Sequence, residues 1–497
     1  MTVARNLIAG VANSIWSALL GLAVVPFYLK YLGIEAYGLI GFFVTAQVLL
    51  QLLDMGMAST INREVARCAA AGDIGEAAKL LHTLAIIYWV MAAAIALLIV
   101  LLAPLISTYW LKSEQLSPHA VTNAIMLMGV VLASRWPIGL YQGALIGAQR
   151  LTVSSAINMM MVSIGSFGAI VVLAYVSPTI EAFFFWQACV GFVYAVGIRS
   201  AAWRCIGRPR AGRFDVDQIR RVLRFSVGVG AISIAGLVLT QLDKVILSKT
   251  VGLESFGKYM LATMVANSLY LLIVPIFNAS YPRFTSLVAQ RSMSELLVQY
   301  GTTSQLLASL LFPSAMVMVL LAQPLIVLWT GNVELAIGIT PLVALLLIAY
   351  SLHGVMYMPY ALMLAHGETK PMFAIYIILI VIVVPMTLML AISYGALGGA
   401  FAQFLHFAIY LVVGAWVTHR QHFKGYARIW LARDIGIPLG ISFIVWMPAQ
   451  FIMQITDTVY LQLMVGVALW LLTISLSIYS MQLSRSVVIG FWKKIPR

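Results

Sequence analysis

The sequence predicts an all-α integral membrane protein of about fourteen transmembrane helices. Two six-helix repeats running in the same direction form two lobes, and two C-terminal helices are appended. Three observations carry that expectation. Hydrophobic residues make up 62% of the 497 and charged residues 9%, with a mean hydropathy of +0.99, which leaves too little polar surface to cover a water-soluble globule. Apolar runs of about 20 residues, the length that crosses a bilayer, recur from one end to the other. A motif beside the first span also returns half-way along the chain.

The spans read, in order, as 7–29, 38–61, 82–103, 119–147, 153–176, 180–198, 225–248, 259–281, 302–322, 337–365, 372–393, 396–417, 435–453 and 461–483. The first follows Arg5 without a small-residue cleavage site, so it reads as a retained span and not a signal peptide. Of the 30 Lys and Arg, all but Lys30, Lys112, Lys244, Lys249, Lys258 and Arg135 fall in alternate loops. By the positive-inside rule those loops and both termini are cytoplasmic, and the number of spans is even. The net charge of +14 is thus a topology signal and calls for no nucleic acid. Cys68, Cys189 and Cys205 imply no disulfide framework.

Lys30-Tyr31-Leu32-Gly33-Ile34-Glu35-Ala36-Tyr37-Gly38 returns as Lys249-Thr250-Val251-Gly252-Leu253-Glu254-Ser255-Phe256-Gly257, an offset of 219. Arg63 with Arg283 and Pro104-Leu105-Ile106 with Pro324-Leu325-Ile326 follow at 220. Six spans per repeat is an even number, so both copies enter the membrane in the same direction, a mark of transporters. The expected organisation is a lobe over 1–205, a basic cytoplasmic linker over 206–224, a second lobe over 225–418, and two extra helices with a basic tail over 419–497. No loop is long enough for a folded soluble domain.

The chain has no phosphate-binding GxxxxGK[ST], no HExxH or CxxC metal spacing and no GxSxG elbow. No enzyme activity, cofactor or metal is expected, and any transport must run on a gradient. The informative residues are polar groups inside spans, which cannot face lipid unpaired. They either line a cavity or hold helices together by hydrogen bonds. Gln47, Gln51, Asp54 and Asn62 share one side of span two. Arg135, Gln142 and Gln149 recur at heptad spacing on span four, and Arg135 is too deep to snorkel. Ser226, Ser233, Thr240 and Lys244 stripe span seven, where Asp243-Lys244 also reads as a helix-end pair. Span ten carries Tyr350, His353, Tyr357 and Tyr360, which read as packing groups or as sugar platforms with a proton site. A buried Arg135–Asp54 ion pair is the structural alternative to an anion site.

Pro26-x-Tyr28, Leu32-Gly33, Tyr37-Gly38, Leu53-Asp54-x-Gly56, Asp243-Lys244, Gly252 and Gly257-Lys258-Tyr259 resemble the bacterial polysaccharide transporters of the multidrug/oligosaccharidyl-lipid/polysaccharide (MOP) exporter superfamily, closest in kind to the O-antigen flippases. The resemblance implies a two-lobed protein that moves undecaprenyl-diphosphate-linked oligosaccharide from the cytoplasmic to the periplasmic leaflet. It also implies a coupling ion, proton or sodium, and a polysaccharide polymerase and chain-length regulator as further partners. Sites for phosphate and sugar are expected at Arg135, Gln142, Gln149, Lys244, Tyr350, Tyr357 and Tyr360, and for the ion at Asp54, His353 and Asp243. A multidrug/cation antiporter, a peptidoglycan lipid precursor flippase and, as an outsider, a non-transporting membrane scaffold are the competing readings. The first more usually has an acidic cavity, and the second several membrane arginines.

Overall fold

The computed structural model describes residues 2–54, 56–207, 234–368, 370–455 and 458–492, all helix and connections without a strand among them. Two glycines divide its longest helices. Helix α1 (Thr2–Leu50) is 49 residues, roughly 74 Å at about 1.5 Å per residue and more than twice the hydrocarbon core. At Gly33 its backbone turns to φ 81°, ψ 173°, a region that a residue without Cβ enters freely. The 53-residue helix α14 (Lys370–His422) breaks likewise at Gly395, φ 60°, ψ −136°. Its halves double back on each other, with Tyr376 and Tyr410 at 6.3 Å.

The other helices are α2 (Met57–Ala71), α3 (Ile74–Leu105), α4 (Pro118–Gly147), α5 (Leu151–Tyr175), α6 (Ile180–Ile206), α7 (234–250), α8 (Leu253–Asn267), α9 (Tyr270–Ala289) and α10 (Met293–Leu320). Then follow α11 (Ala322–Thr330), α12 (Val333–Val355), α13 (Tyr357–Ala365), the broken α14, α15 (Tyr426–Ile429), α16 (Gly436–Ile455) and α17 (Val459–Trp492). Among the described residues ten helices are long and apolar enough to cross a membrane, eleven if α8 and α9, bent by 43°, form one span. The difference from the fourteen expected lies in α1 and α14, each counted once across its glycine, and in span seven. Residues 225–233 of that span, with Ser226 and Ser233, fall outside the described residues, as does most of the expected linker.

The chain divides into two units, Met1–Gly257 and Lys258–Arg497. In the first, α4 is the central helix, packed on α2, α3 and α6, while α5 packs on α1 and α6. Gly143 and Gly147 give α4 a G-x-x-x-G face against α2: a Cβ on them would lie 2.5 Å from the Ala58 carbonyl oxygen and 2.3 Å from that of Asn62. Side chains are kept away so that the backbones can meet. The repeat motif has a comparable use. A Cβ on Gly38 would stand 2.4 Å from the Leu253 oxygen, and one on Gly257 2.3 Å from the Ile34 oxygen. Ile34 and Leu253 are equivalent in the repeat, as are Gly38 and Gly257, so the contact is reciprocal. Beside it the Glu35 carboxylate accepts the backbone N–H groups of Glu114, Gln115 and Leu116 at 2.6, 2.7 and 3.2 Å. In the second unit α10 is central, packed on α9, α12, α16 and α17. Exposed Val381, Met389, Ile392, Ile444 and Met447 form surface suited to lipid.

Candidate functional site

In the first unit the heptad on α4 meets a matching heptad on α6. The Arg135 guanidinium donates to Gln187 Oε1 at 2.7 Å and to Gln47 Oε1 at 3.3 Å, and lies 5.5 Å from the Phe43 ring. Gln187 in turn donates to the Gly165 carbonyl oxygen of α5 at 3.3 Å. One heptad on, Gln142 donates to the Tyr194 hydroxyl at 2.7 Å, Tyr194 to Asn158 Oδ1 at 2.9 Å, and Asn158 to Asn13 Oδ1 at 2.7 Å. The two rungs join α1, α4, α5 and α6. Gly191, between Gln187 and Tyr194, makes room: a Cβ there would stand 2.3 Å from Ser134 Oγ and 3.5 Å from Arg135 Cγ.

Arg135 is a cation held by neutral amides. Among the described residues no carboxylate stands at ion-pair distance from it. The expected alternative, an Arg135–Asp54 pair, is absent. Asp54 lies in a 3₁₀ turn, where one oxygen accepts the Ala58 N–H at 3.2 Å and caps α2 and the other accepts the Tyr88 hydroxyl. Gln149 also stands apart from the rungs, because α4 ends at Gly147 and the heptad ends with it. It occupies an exposed left-handed turn, φ 57°, and its carbonyl oxygen accepts the Asn6 amide at 3.1 Å.

Asp243 and Lys244 are both buried on α7, at 2% and 5% exposure, so the lysine does not snorkel. Its ammonium donates to the Thr240 oxygen at 3.0 Å and to the Asp243 carboxylate at 3.3 Å.

In the second unit the four expected aromatic residues gather into one cluster. His353 stacks on Phe407 at 4.3 Å, and its Nδ1 shares a hydrogen bond with the Tyr270 hydroxyl at 2.7 Å. Tyr350 and Tyr357 meet the Tyr270 ring edge-on at 5.8 and 6.0 Å. Phe277 stacks on Tyr360 at 5.7 Å. Tyr350 and Phe407 are buried, at 5% and 2% exposure, whereas His353, Tyr357 and Tyr360 are half-buried.

The sequence reading missed Gln187 and Tyr194, although their heptad spacing repeats that of Arg135 and Gln142. It missed Tyr270, Phe277 and Phe407, single aromatics among many. It also assigned Arg433 to a cytoplasmic loop, whereas the helical segment from Tyr426 onward contains it. There the fully buried Asp434 accepts from Arg433 Nε at 2.7 Å, Gln305 Nε2 at 2.8 Å and the Tyr426 hydroxyl at 2.7 Å.

A family model described as polysaccharide biosynthesis protein matches residues 3–288. No curated protein matches the chain. Among solved structures, the lipid II flippase MurJ in an inward closed conformation aligns with a TM-score of 0.71 at 14% identity, covering 97% of this chain and 100% of that one. An inward-facing multidrug resistance transporter of the MATE family, in the MOP superfamily, aligns with a TM-score of 0.64 at 15% identity, covering 83% and 98%. A MOP superfamily transporter from Pyrococcus furiosus aligns with a TM-score of 0.56 at 16% identity, covering 86% and 96%. At such identities the likeness is one of fold.

Proposed function

The chain belongs to the polysaccharide biosynthesis protein family, and we propose that it is a secondary-active flippase for undecaprenyl-diphosphate-linked polysaccharide repeat units, O-antigen-like or exopolysaccharide. It is a multi-pass membrane protein with the fold of MOP transporters. The observation that carries the proposal is Arg135, a half-buried guanidinium on a membrane-length helix with amide partners and no carboxylate at ion-pair distance among the described residues. An unneutralised cation in low dielectric is costly, and a diphosphate offers the paired acceptors that a guanidinium fits.

Gln47, Gln142 and Gln187 supply amides, and Tyr350, Tyr357 and Tyr360 rings, for the sugars that follow the diphosphate. The undecaprenyl chain stays in the bilayer while the headgroup crosses in a shielded groove. In this reading Lys244 adds positive charge on α7, and Asp54, Asp243 and His353 are the candidate groups for a coupling proton or sodium ion. The protein works in the bacterial inner membrane with cytoplasmic termini, and passes its product to a polymerase and chain-length regulator.

The test has two parts. A deletion strain should lose long surface polysaccharide while the core glycan stays intact, and sealed vesicles should stop flipping the lipid-linked oligosaccharide when the ion gradient is collapsed at constant ATP. Loss of viability would point instead to the peptidoglycan precursor, and dye accumulation alone to drug export.

A further inference from the structure

Outside the groups used above, the second unit contains a half-buried cluster of titratable side chains at the joint between α13 and α14. His366 and Glu368 stand in the turn that ends α13, and His422 is the last residue of α14. The two imidazoles stack with centroids 4.0 Å apart and planes at 29°. His422 Nε2 lies 3.1 Å from Glu368 Oε2, an ion-pair distance without hydrogen-bond alignment. Among the described residues His366 Nε2 has no hydrogen-bond partner, and His422 Nε2 and Glu368 Oε2 face each other without one. Buried polar atoms are ordinarily paired, so two imidazoles and a carboxylate this close call for a shared proton or cation.

The chemistry of the donors identifies it. His366 Nδ1 lies 2.9 Å from the Leu362 carbonyl oxygen, which can only accept, so the hydrogen is on Nδ1 and Nε2 presents a bare lone pair. The His422 side chain is 5% exposed, while that of Glu368 is 31% exposed and gives a route to water. Stacked rings do not converge their nitrogens on one point, and no metal-binding group of three such side chains occurs among the described residues. Sodium and other hard cations take oxygen ligands, which this cluster lacks in number.

We propose that His366, Glu368 and His422 form a proton-binding site that takes up a single proton at the joined ends of α13 and α14. The protonated imidazole pairs with the Glu368 carboxylate, and its charge keeps the stacked partner neutral. In the unprotonated state the two helix ends are held by ring stacking, apolar packing and the Thr418 hydroxyl on Met363 Sδ at 3.2 Å, and uptake of the proton adds an ion pair to that joint.

Of the neighbouring groups, His419 acts on His422 through space, although its own nitrogens are engaged elsewhere. His419, one turn back on α14, is engaged through Nδ1 with the Ala415 oxygen at 2.6 Å and through Nε2 with the Tyr300 hydroxyl of α10 at 3.0 Å. Arg420 lies over the Trp416 ring at 5.1 Å, and Lys370 and Lys424 are exposed. The inference is independent of the substrate proposed above.

The test follows the thermal unfolding midpoint of the purified full chain, metal-free, against pH. The wild type should show a step that His422→Gln removes. Glu368→Gln should move it to lower pH by about one unit, because a carboxylate beside an imidazole favours its charged form. On the wild type alone, ¹⁵N-histidine spectra should show two imidazoles titrating in widely separated steps, a readout that needs no variant to fold. Identical pH profiles in wild type and Glu368→Gln, or two imidazoles titrating together, would overturn the proposal. So would a midpoint raised by Zn²⁺ at fixed pH and lost in His422→Gln, which would make the cluster a metal site.

Discussion

Replacing Arg135 with Gln separates an anion site from helix packing. The guanidinium makes two hydrogen bonds, at 2.7 Å to Gln187 and 3.3 Å to Gln47, and the second is long enough to count for little. Gln at this position can still hydrogen-bond an amide, and it removes a half-buried charge that no described carboxylate offsets. The protein should therefore accumulate at a near-normal level, within about 1 kcal/mol of wild-type stability. Losing a charge-assisted pair to diphosphate costs about 3 kcal/mol, which at about 1.4 kcal/mol per decade is roughly a hundredfold in substrate affinity. Arg135→Lys keeps the charge but not the planar fork and should lose about tenfold.

The assay is flipping of lipid-diphosphate oligosaccharide in proteoliposomes over a range of substrate concentrations, with membrane level measured in parallel. Wild-type flipping by a well-expressed Arg135→Gln protein would refute the anion site and leave both rungs as interhelical glue. Poor accumulation of every Arg135 variant would make the guanidinium structural.

Gly38→Ala places a Cβ 2.4 Å from the Leu253 oxygen and should lower the unfolding midpoint by an amount equivalent to about 1–3 kcal/mol. Gly139→Ala, where a Cβ meets no atom within 4 Å, should be neutral or stabilising; equal behaviour of the two in a thermal-shift assay would contradict the close approach. Asp434→Ala leaves Arg433 in a pocket built for a carboxylate and should cost about 3–5 kcal/mol, seen as loss of monodisperse protein on size exclusion, whereas unchanged stability would mean that water replaces the carboxylate. Cys68 is 2% exposed, and burial pushes its thiol above the usual range, so less thiolate is present at neutral pH. The exposed Cys205 should react with maleimide in the folded protein, and Cys68 only after denaturation; prompt labelling of Cys68 would show that α2 lifts from its neighbours.

Composition and periodicity were sufficient for the membrane class, the repeat and the stripe that contains Arg135, because these follow from local chain properties: apolar length, side-chain spacing and loop charge. Gly38 and Gly257 announced themselves by identity across 219 residues, but only the fold shows why, each glycine receiving the backbone that its repeat partner's neighbour presents. Partner choice was decided in three dimensions. Asp54 was legible as an acid in a span, yet it caps α2 and holds Tyr88, since the helix breaks at that residue. Gln149 kept the heptad in sequence and left it in space, because α4 had already ended. Gln187, Tyr194, Asn158 and Asn13 come from separate helices, and His366 meets His422 only because α14 doubles back at Gly395. A one-dimensional pattern specifies which face of a helix is polar. Which faces meet is set by packing among helices distant in sequence, and the buried hydrogen bonds follow from that packing.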